Sequence, residues 1–554
     1  MDGIQRLEQP RLVTLLVLSS FMVAMAVTFV MERSALFDPY VINDDVRQHI
    51  YWMARFQDPD LFRGDPLTDF FSSPKFATYG VVGLYYLMSF FVEPLVFSKI
   101  LPLLLIPLCA VFLFLLGRRL KDLLSGLILV AVFLTVIWDR DRFSGGLARS
   151  FSYPILILFL YSLVQKRYLA ASALMVAGAL FYPPIAPVCA GTWAFSFLDL
   201  PQLRVNFRQN GLAPFLIGSV LTSVVLISAY IVFKDEAAGR LVAPTEAAHM
   251  PEFYRNGRVE FFHESPIVQY LQGEDAGLGL HGPVNVLFFT AVLIGLVLRS
   301  EAFKTPKEVW HLMLSSLSLF LLAYLVLFRL HLPSRFSEVP ISLCLMIFAS
   351  IHLRPALQKI ARLIPYDRLR SRPVAVAEVV GVTLVLFFFI VGVSMSRAKL
   401  EHFPDGSLTS FLATLHKDAL IAGHPEDMDW IPIFSKRRVL VNRELSLPYH
   451  VEYYGEIRRR TLDTLEAYYT DSLTDIARFC RKYGVDYLVV NRSRFTSDSL
   501  QTQPIYDEPY NASLKAKIAG RERFAALMIP PEKIVWQDSK FLVTDCRRLV
   551  KVKR

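Results

Sequence analysis

Two adjacent carboxylates open the segment Asn43-Asp44-Asp45-Val46-Arg47-Gln48-His49, a dozen residues after an apolar run ends at Met31. Neighbouring carboxylates repel, so one of the pair holds a proton more readily than an isolated acid. A carboxylate fixed in place can also accept the proton of a hydroxyl or orient it. Helix capping is the plainer role for the same acids, and the two are compatible, because a capped helix would hold Asp44 still. A second set of candidates is basic. Arg149 stands just before an apolar run in Gly145-Gly-Leu-Ala-Arg-Ser-Phe, and Arg329, His331 and Arg335 share one short turn. A guanidinium is a planar fork that bonds two phosphate oxygens at once; its ordinary use at such a place is snorkelling from a helix end into water. A third set, Glu260, His263 and Glu264, is a donor set open to a divalent metal or to accessory acid–base work, and is equally at home on a solvated loop.

The elements that must position these groups follow from hydropathy. The 554-residue chain is 54% hydrophobic and 19% charged, against about 25% charged in soluble chains. The deficit is uneven. Apolar runs recur from Leu12 to Met395, and the rest has soluble composition. This predicts a polytopic α-helical membrane domain over 1–395 and a soluble domain over 396–554. About eleven spans are expected, near 12–31, 95–117, 123–138, 150–165, 168–182, 184–199, 212–233, 283–299, 309–328, 336–353 and 375–395. No small-residue cleavage site follows the first, which reads as a retained helix.

Lysine and arginine set the orientation. The net charge of +10 sits largely in short loops carrying Arg118, Arg119 and Lys121, then Lys166 and Arg167, then Arg204 and Arg208, then Arg299, Lys304 and Lys307. Arg354, Lys359, Arg362, Arg368, Arg370 and Arg372 make the last such loop the most basic. That distribution puts the N-terminus in the cytoplasm and the C-terminal domain outside, in the periplasm if the chain lies in a bacterial inner membrane. It also accounts for the positive charge without nucleic acid. Two long acid-rich loops, 32–94 and 234–282, fall on the outer side. In the first, Asp44 to about Gln57 reads as a helix with Val46, Ile50 and Met53 on one face, and Val81–Phe91 as an interfacial helix.

The outer turn Tyr182-Pro183-Pro184 breaks a helix near the surface. The tail alternates a strand at 438–442, a helix over 461–483, a strand at 485–490 and a closing hairpin, the pattern of a small α/β domain. Its Tyr449, His450, Tyr453 and Tyr454 suit either domain packing or stacking on a sugar. No zinc spacing exists among the five cysteines. Cys109, Cys189 and Cys344 fall in apolar spans, whereas Cys480 and Cys546 could pair if the tail is outside.

A first span followed by an outer loop whose acidic pair opens a helix resembles the polyprenyl-phosphate-dependent glycosyltransferases of the GT-C fold, among them protein O-mannosyltransferases and aminoarabinose transferases. The resemblance implies that the first acid, here Asp44, is catalytic, with Asp45 its neighbour. The second acid is Asp where Glu is commoner, and Arg47-Gln48-His49 departs from the usual following residues, so no subfamily is assigned. What the resemblance implies is a membrane glycosyltransferase that moves a sugar from a polyprenyl phosphate to an acceptor on the outer side, with inversion. Arg149, Arg335, Arg329 and His331 would then hold the donor phosphate. Membrane lipids and an acceptor glycan, lipid or protein would be the other partners. No cofactor is required, and a divalent metal is used by some relatives and not by others. A flippase or transporter of lipid-linked substrates, or a non-catalytic assembly factor, are the alternative readings. Spans nearly free of charge, acids gathered in outer loops and the lack of an internal repeat favour surface chemistry over transport.

Overall fold

A computed structural model describes residues 10–74, 76–138, 142–199, 204–205, 211–231, 239–330, 332–363, 373–395 and 398–550. Each of the eleven expected apolar stretches is a helix: α1 (Pro10–Phe37), α2 (Pro94–Leu120), α3 (Leu123–Val136), α4 (Ser152–Val164), α5 (Tyr168–Phe181), α6 (Ile185–Phe195), α7 (Leu212–Ile231), α8 (Gly282–Leu298), α9 (Lys307–Leu325), α10 (Ser334–Leu363) and α11 (Pro373–Met395). Among the described residues, seven stretches, those of α1, α2 and α7–α11, are long and apolar enough to cross a membrane. The helices of the other four are apolar but shorter. The protein is an integral, polytopic helical membrane protein with a small sheet domain. Arg208, His331, Arg368, Arg370 and Arg372 lie outside the described residues.

Burial along these helices follows what a lipid solvent asks for. On α1 the buried residues are Ser20, Ala24, Thr28, Glu32 and Ala35, a stripe of small and polar side chains at helical spacing. Leu15, Leu18, Met22 and Val30 on the other face are exposed. Small residues let backbones approach closely, and large apolar ones cost nothing against lipid. The centre of the bundle is α10, 89% buried over its most apolar window, whereas α7 and α11 are 11% buried. The N-terminal end of α10 therefore projects from the middle of the bundle.

The first outer loop departs from its expectation. Val41–Asn43 is a strand, β1, paired antiparallel with β2 (Leu400–His402). The expected long helix is a four-residue α-helix, Val46–His49, followed by a 3-10 helix, Tyr51–Phe56. Val46, Ile50 and Met53 still share a buried face. The helix expected over Val81–Phe91 is observed at Tyr79–Ser89, with Tyr86, Leu87, Phe90 and Phe91 exposed.

The tail carries a five-stranded sheet of β3 (Leu420–Ala422), β4 (Arg438–Val439), β5 (Tyr487–Asn491), β6 (Ile534–Gln537) and β7 (Phe541–Asp545), in the order β4-β3-β5-β7-β6. The first three strands are parallel, and the expected hairpin adds two antiparallel ones. The expected helix over 461–483 is two helices, Val451–Tyr468 and Leu473–Tyr483, the second restarted by Ser472, whose hydroxyl caps Asp475 N. The Sγ atoms of Cys480 and Cys546 lie 2.6 Å apart in its core. One hydrophobic cluster runs without a break from the bundle through the first loop (Ile42, Trp52, Phe70) into the tail (Ile433, Val441, Leu445, Tyr453).

Candidate active site

Strand pairing sets up the acid pair. Asn43 lies opposite Leu400 and is fully buried, its Nδ2 donating to Lys399 O at 3.3 Å. Its Oδ1 accepts from Asp45 N at 3.2 Å, a side-chain turn of the kind Asn favours. The two carboxylates then take different partners. Asp44, half-exposed, pairs with Arg47 one helical turn on. Asp45 stands at the N-cap of the Val46–His49 helix, but its side chain makes no cap hydrogen bond and instead pairs with Arg149.

Arg149 reaches Asp45 because the strap before it lies flat on the first loop. Gly145 and Gly146 have φ of +81° and +59°, a left-handed conformation that costs glycine little. A Cβ on Gly145 would sit 2.8 Å from Val46 Cγ2 and 2.9 Å from Asn43 Cβ, so no side chain fits. Arg149 also donates to Asn43 Oδ1 at 3.4 Å.

Arg335 comes from the N-terminal turn of α10. Its Nη2 is 3.1 Å from Asp275 Oδ1. Asp275 is held twice more, by the Tyr449 hydroxyl and through its carbonyl by Ser334 N at 3.2 Å. Arg335, Tyr182, Glu274 and Glu444 are the groups whose charges act most on Arg149, so both arginines share one neighbourhood. His49 belongs to it too. Burial pushes its imidazole down to about 4; Glu444 opposes the shift and Arg335 adds to it. The ring is therefore neutral at pH 7.

Arg47 joins the loop to the tail. Its buried guanidinium lies 3.1 Å from Glu401 and 3.8 Å from Glu444, and 4.3 Å from the centroid of the Trp430 ring. Glu444 also takes Arg258 from the second outer loop at 3.2 Å, and its amide donates to Asp429 at 2.7 Å. Burial pushes the Asp429 carboxyl up; Arg47 opposes this and Glu444 reinforces it. Behind the strap, Arg142 and Glu338 form a buried ion pair with His281 Nε2 at 3.9 Å, and Ser144 donates to Glu32 at 3.0 Å. The expectation of nearly charge-free spans is corrected here. Glu338 sits inside one, tolerated because it is paired with Arg142 within the protein, and Glu32 at the end of another, where the Ser144 hydroxyl is its partner.

Of the candidate residues, the structure brings Asp44, Asp45, Arg149 and Arg335 together at one end of the bundle. Arg329 is exposed and makes no ion pair among the described residues. Glu260 and His263 meet, Oε1 to Nδ1 at 3.4 Å, while Glu264 is exposed. No group of three His, Cys, Asp or Glu side chains that could hold a metal exists among the described residues. In the tail, Tyr453 stacks on Phe70 at 3.7 Å and Tyr454 bonds Glu252 at 3.1 Å, so both are packing residues. Sequence reasoning missed Arg47, His49 and Glu444. Only Arg47 left a trace, as a base three residues after Asp44 on a helix.

No protein-family model and no curated protein matches the sequence. Solved structures match in shape. The oligosaccharyltransferase of Archaeoglobus fulgidus, solved tethered to an acceptor peptide containing an NVT sequon, aligns with a TM-score of 0.51 at 13% identity, over 90% of this chain and 72% of that one. ArnT from Cupriavidus metallidurans, in its apo state, aligns with a TM-score of 0.51 at 12% identity, over 97% of this chain and 99% of that one. Both are glycosyltransferases of the GT-C type. At such identities the likeness speaks for the fold, and over nearly its whole length this chain has the GT-C fold.

Proposed function

We propose that the protein is a membrane glycosyltransferase that moves a sugar from a polyprenyl phosphate to an acceptor on the outer face, with inversion. The observation that carries this reading is the convergence of an acid pair, the Arg149 strap and Arg335 from three distant segments onto one end of the bundle. The basic short loops support a cytoplasmic N-terminus and a tail on the far side, the periplasm of a bacterial cell. The donor's lipid would lie between spans with its phosphate between Arg149 and Arg335. The acceptor hydroxyl oxygen attacks the anomeric carbon from the face opposite the phosphate, and its proton passes to Asp44. The bond from that carbon to the phosphate oxygen breaks, and its electron pair leaves with the phosphate. The two arginines stabilise the charge that grows there. Asp45 holds Arg149 in place. No step is routed through a metal, since among the described residues Glu260 and His263 do not complete a ligand set with a third donor.

The test is transfer from polyprenyl-phosphate sugars in reconstituted liposomes. Asp44→Asn is expected to slow transfer about a thousandfold. Arg149→Gln and Arg335→Gln are expected to weaken binding of the lipid phosphate as well as the rate. Undiminished transfer by Asp44→Asn would sink the assignment.

A further inference from the structure

We propose that the tail positions the acid of the first loop, acting through Arg47, with Trp430 and Glu444 as the positioning residues. This rests on the reading of Asp44 as the base.

Asp44 sits at the start of a four-residue helix with nearly half of its side chain in solvent. A carboxylate so placed moves among its rotamers unless something holds it, and an exposed ion pair holds it weakly. Its partner is not exposed: the Arg47 side chain is only 8% accessible. That guanidinium is fixed from several sides. Its Nε donates to the Asp44 carbonyl at 3.2 Å. Its face lies against Trp430, and its Nη2 reaches Glu401 and Glu444. Trp430, Glu401 and Glu444 all belong to the tail. Glu444 in turn is anchored by Arg258 and by Asp429, and Trp430 is stacked on Phe403 and Phe434. A rigid, mostly desolvated cation attracts a carboxylate more strongly than one on a free stem, because water screens it less. The tail thus sets where Asp44 stands.

The same contacts bear on its titration. The charged groups around Asp44 and Arg47 are Arg47 itself, Asp45 beside it, Glu401 from β2, Glu444 and Asp429 from the tail, and Arg258 from the second outer loop. A cation held beside Asp44 keeps the base in its carboxylate form. When Arg47 is free to swing away, protonation begins at higher pH and the acidic limb of the rate profile moves up.

Steady-state kinetics of the full chain in liposomes tests this with Trp430→Leu and Trp430→Phe. Trp430→Leu should lower kcat about tenfold with KM little changed, and shift the acidic limb to higher pH. Trp430→Phe, which keeps an aromatic face under the guanidinium, should restore most of both. A folded Trp430→Leu protein with unchanged kcat and an unmoved limb overturns the proposal, as does a Phe variant no better than Leu. If Trp430→Leu does not fold, Arg47→Lys keeps the charge but loses the planar fork. Loss of kcat at constant KM then supports the proposal, and unchanged kcat overturns it. Activity of Asp44→Asn reports on the base assignment separately, so the two ideas fail by different measurements.

Discussion

At the end of α2 near the acid pair, Lys99 is drawn into the protein, its Nζ donating to Asp38 O at 2.8 Å. Toward the other end of this 27-residue helix, and so roughly 30 Å away, Arg119 lies open at the surface. The contrast repeats along α10. Its first turns carry Arg335 and Glu338, paired across distant segments. Nearer its last turns, Arg354 pairs with Glu378 at 2.6 Å and lies 3.6 Å from Asp122, with about a third of its side chain in water. Both ends are charged, but in different ways. One end carries basic side chains in short loops, some of them open at the surface. The other uses them at fixed positions, which needs burial and partners.

The comparison can be broken most sharply at Arg142 and Glu338. Glu338→Gln or Arg142→Leu removes half of a buried ion pair and should cost about 3–5 kcal/mol, seen as a large fall in thermal stability in detergent. Changing both together to Met and Leu should recover much of the loss. A single change that leaves the melting temperature unmoved would mean that this end is no more demanding than the other.

His49 offers a smaller effect. Its folded value of about 4 lies below the ordinary histidine value, so the unfolded chain takes up a proton first as pH falls. Stability is therefore unaffected above about pH 6.5 and declines from there to about pH 4, by roughly 2 kcal/mol at pH 5. Melting curves between pH 7 and pH 4.5 should show this fall, and His49→Gln should flatten it. The smallest effect belongs to the basic end. Arg354→Gln should change stability by about 1 kcal/mol or less and leave transfer in liposomes at the level of the unchanged protein.

Much of this architecture was readable from the order of residues. Eleven apolar stretches became eleven helices because a backbone in lipid must bond to itself, whatever its neighbours do. The tail's second parallel strand and closing hairpin were legible for a similar reason, since short runs of Val, Leu and Tyr bounded by turn residues suit strands buried on both faces. The misreadings have one cause. Val46, Ile50 and Met53 share a face whether the segment is one helix or two. Only the pairing of Asn43 with Leu400 places the chain so that the helix stops at His49. Leu420–Ala422 is a central strand of three residues, too short to show a period.

By itself, the sequence determined that an acid pair lies just beyond the first span, with arginines at the mouths of later ones. Hydropathy and charge act on each segment separately, so they can be read one segment at a time. The different partners of the two acids were decided only by tertiary structure. Asp45 faces Arg149 because a Gly-Gly strap can lie against Asn43, and Asp44 faces Arg47 because the tail packs Trp430 and Glu444 around that guanidinium. Those contacts join residues hundreds of positions apart. Their strength comes from excluding water, which no local run of residues can do alone.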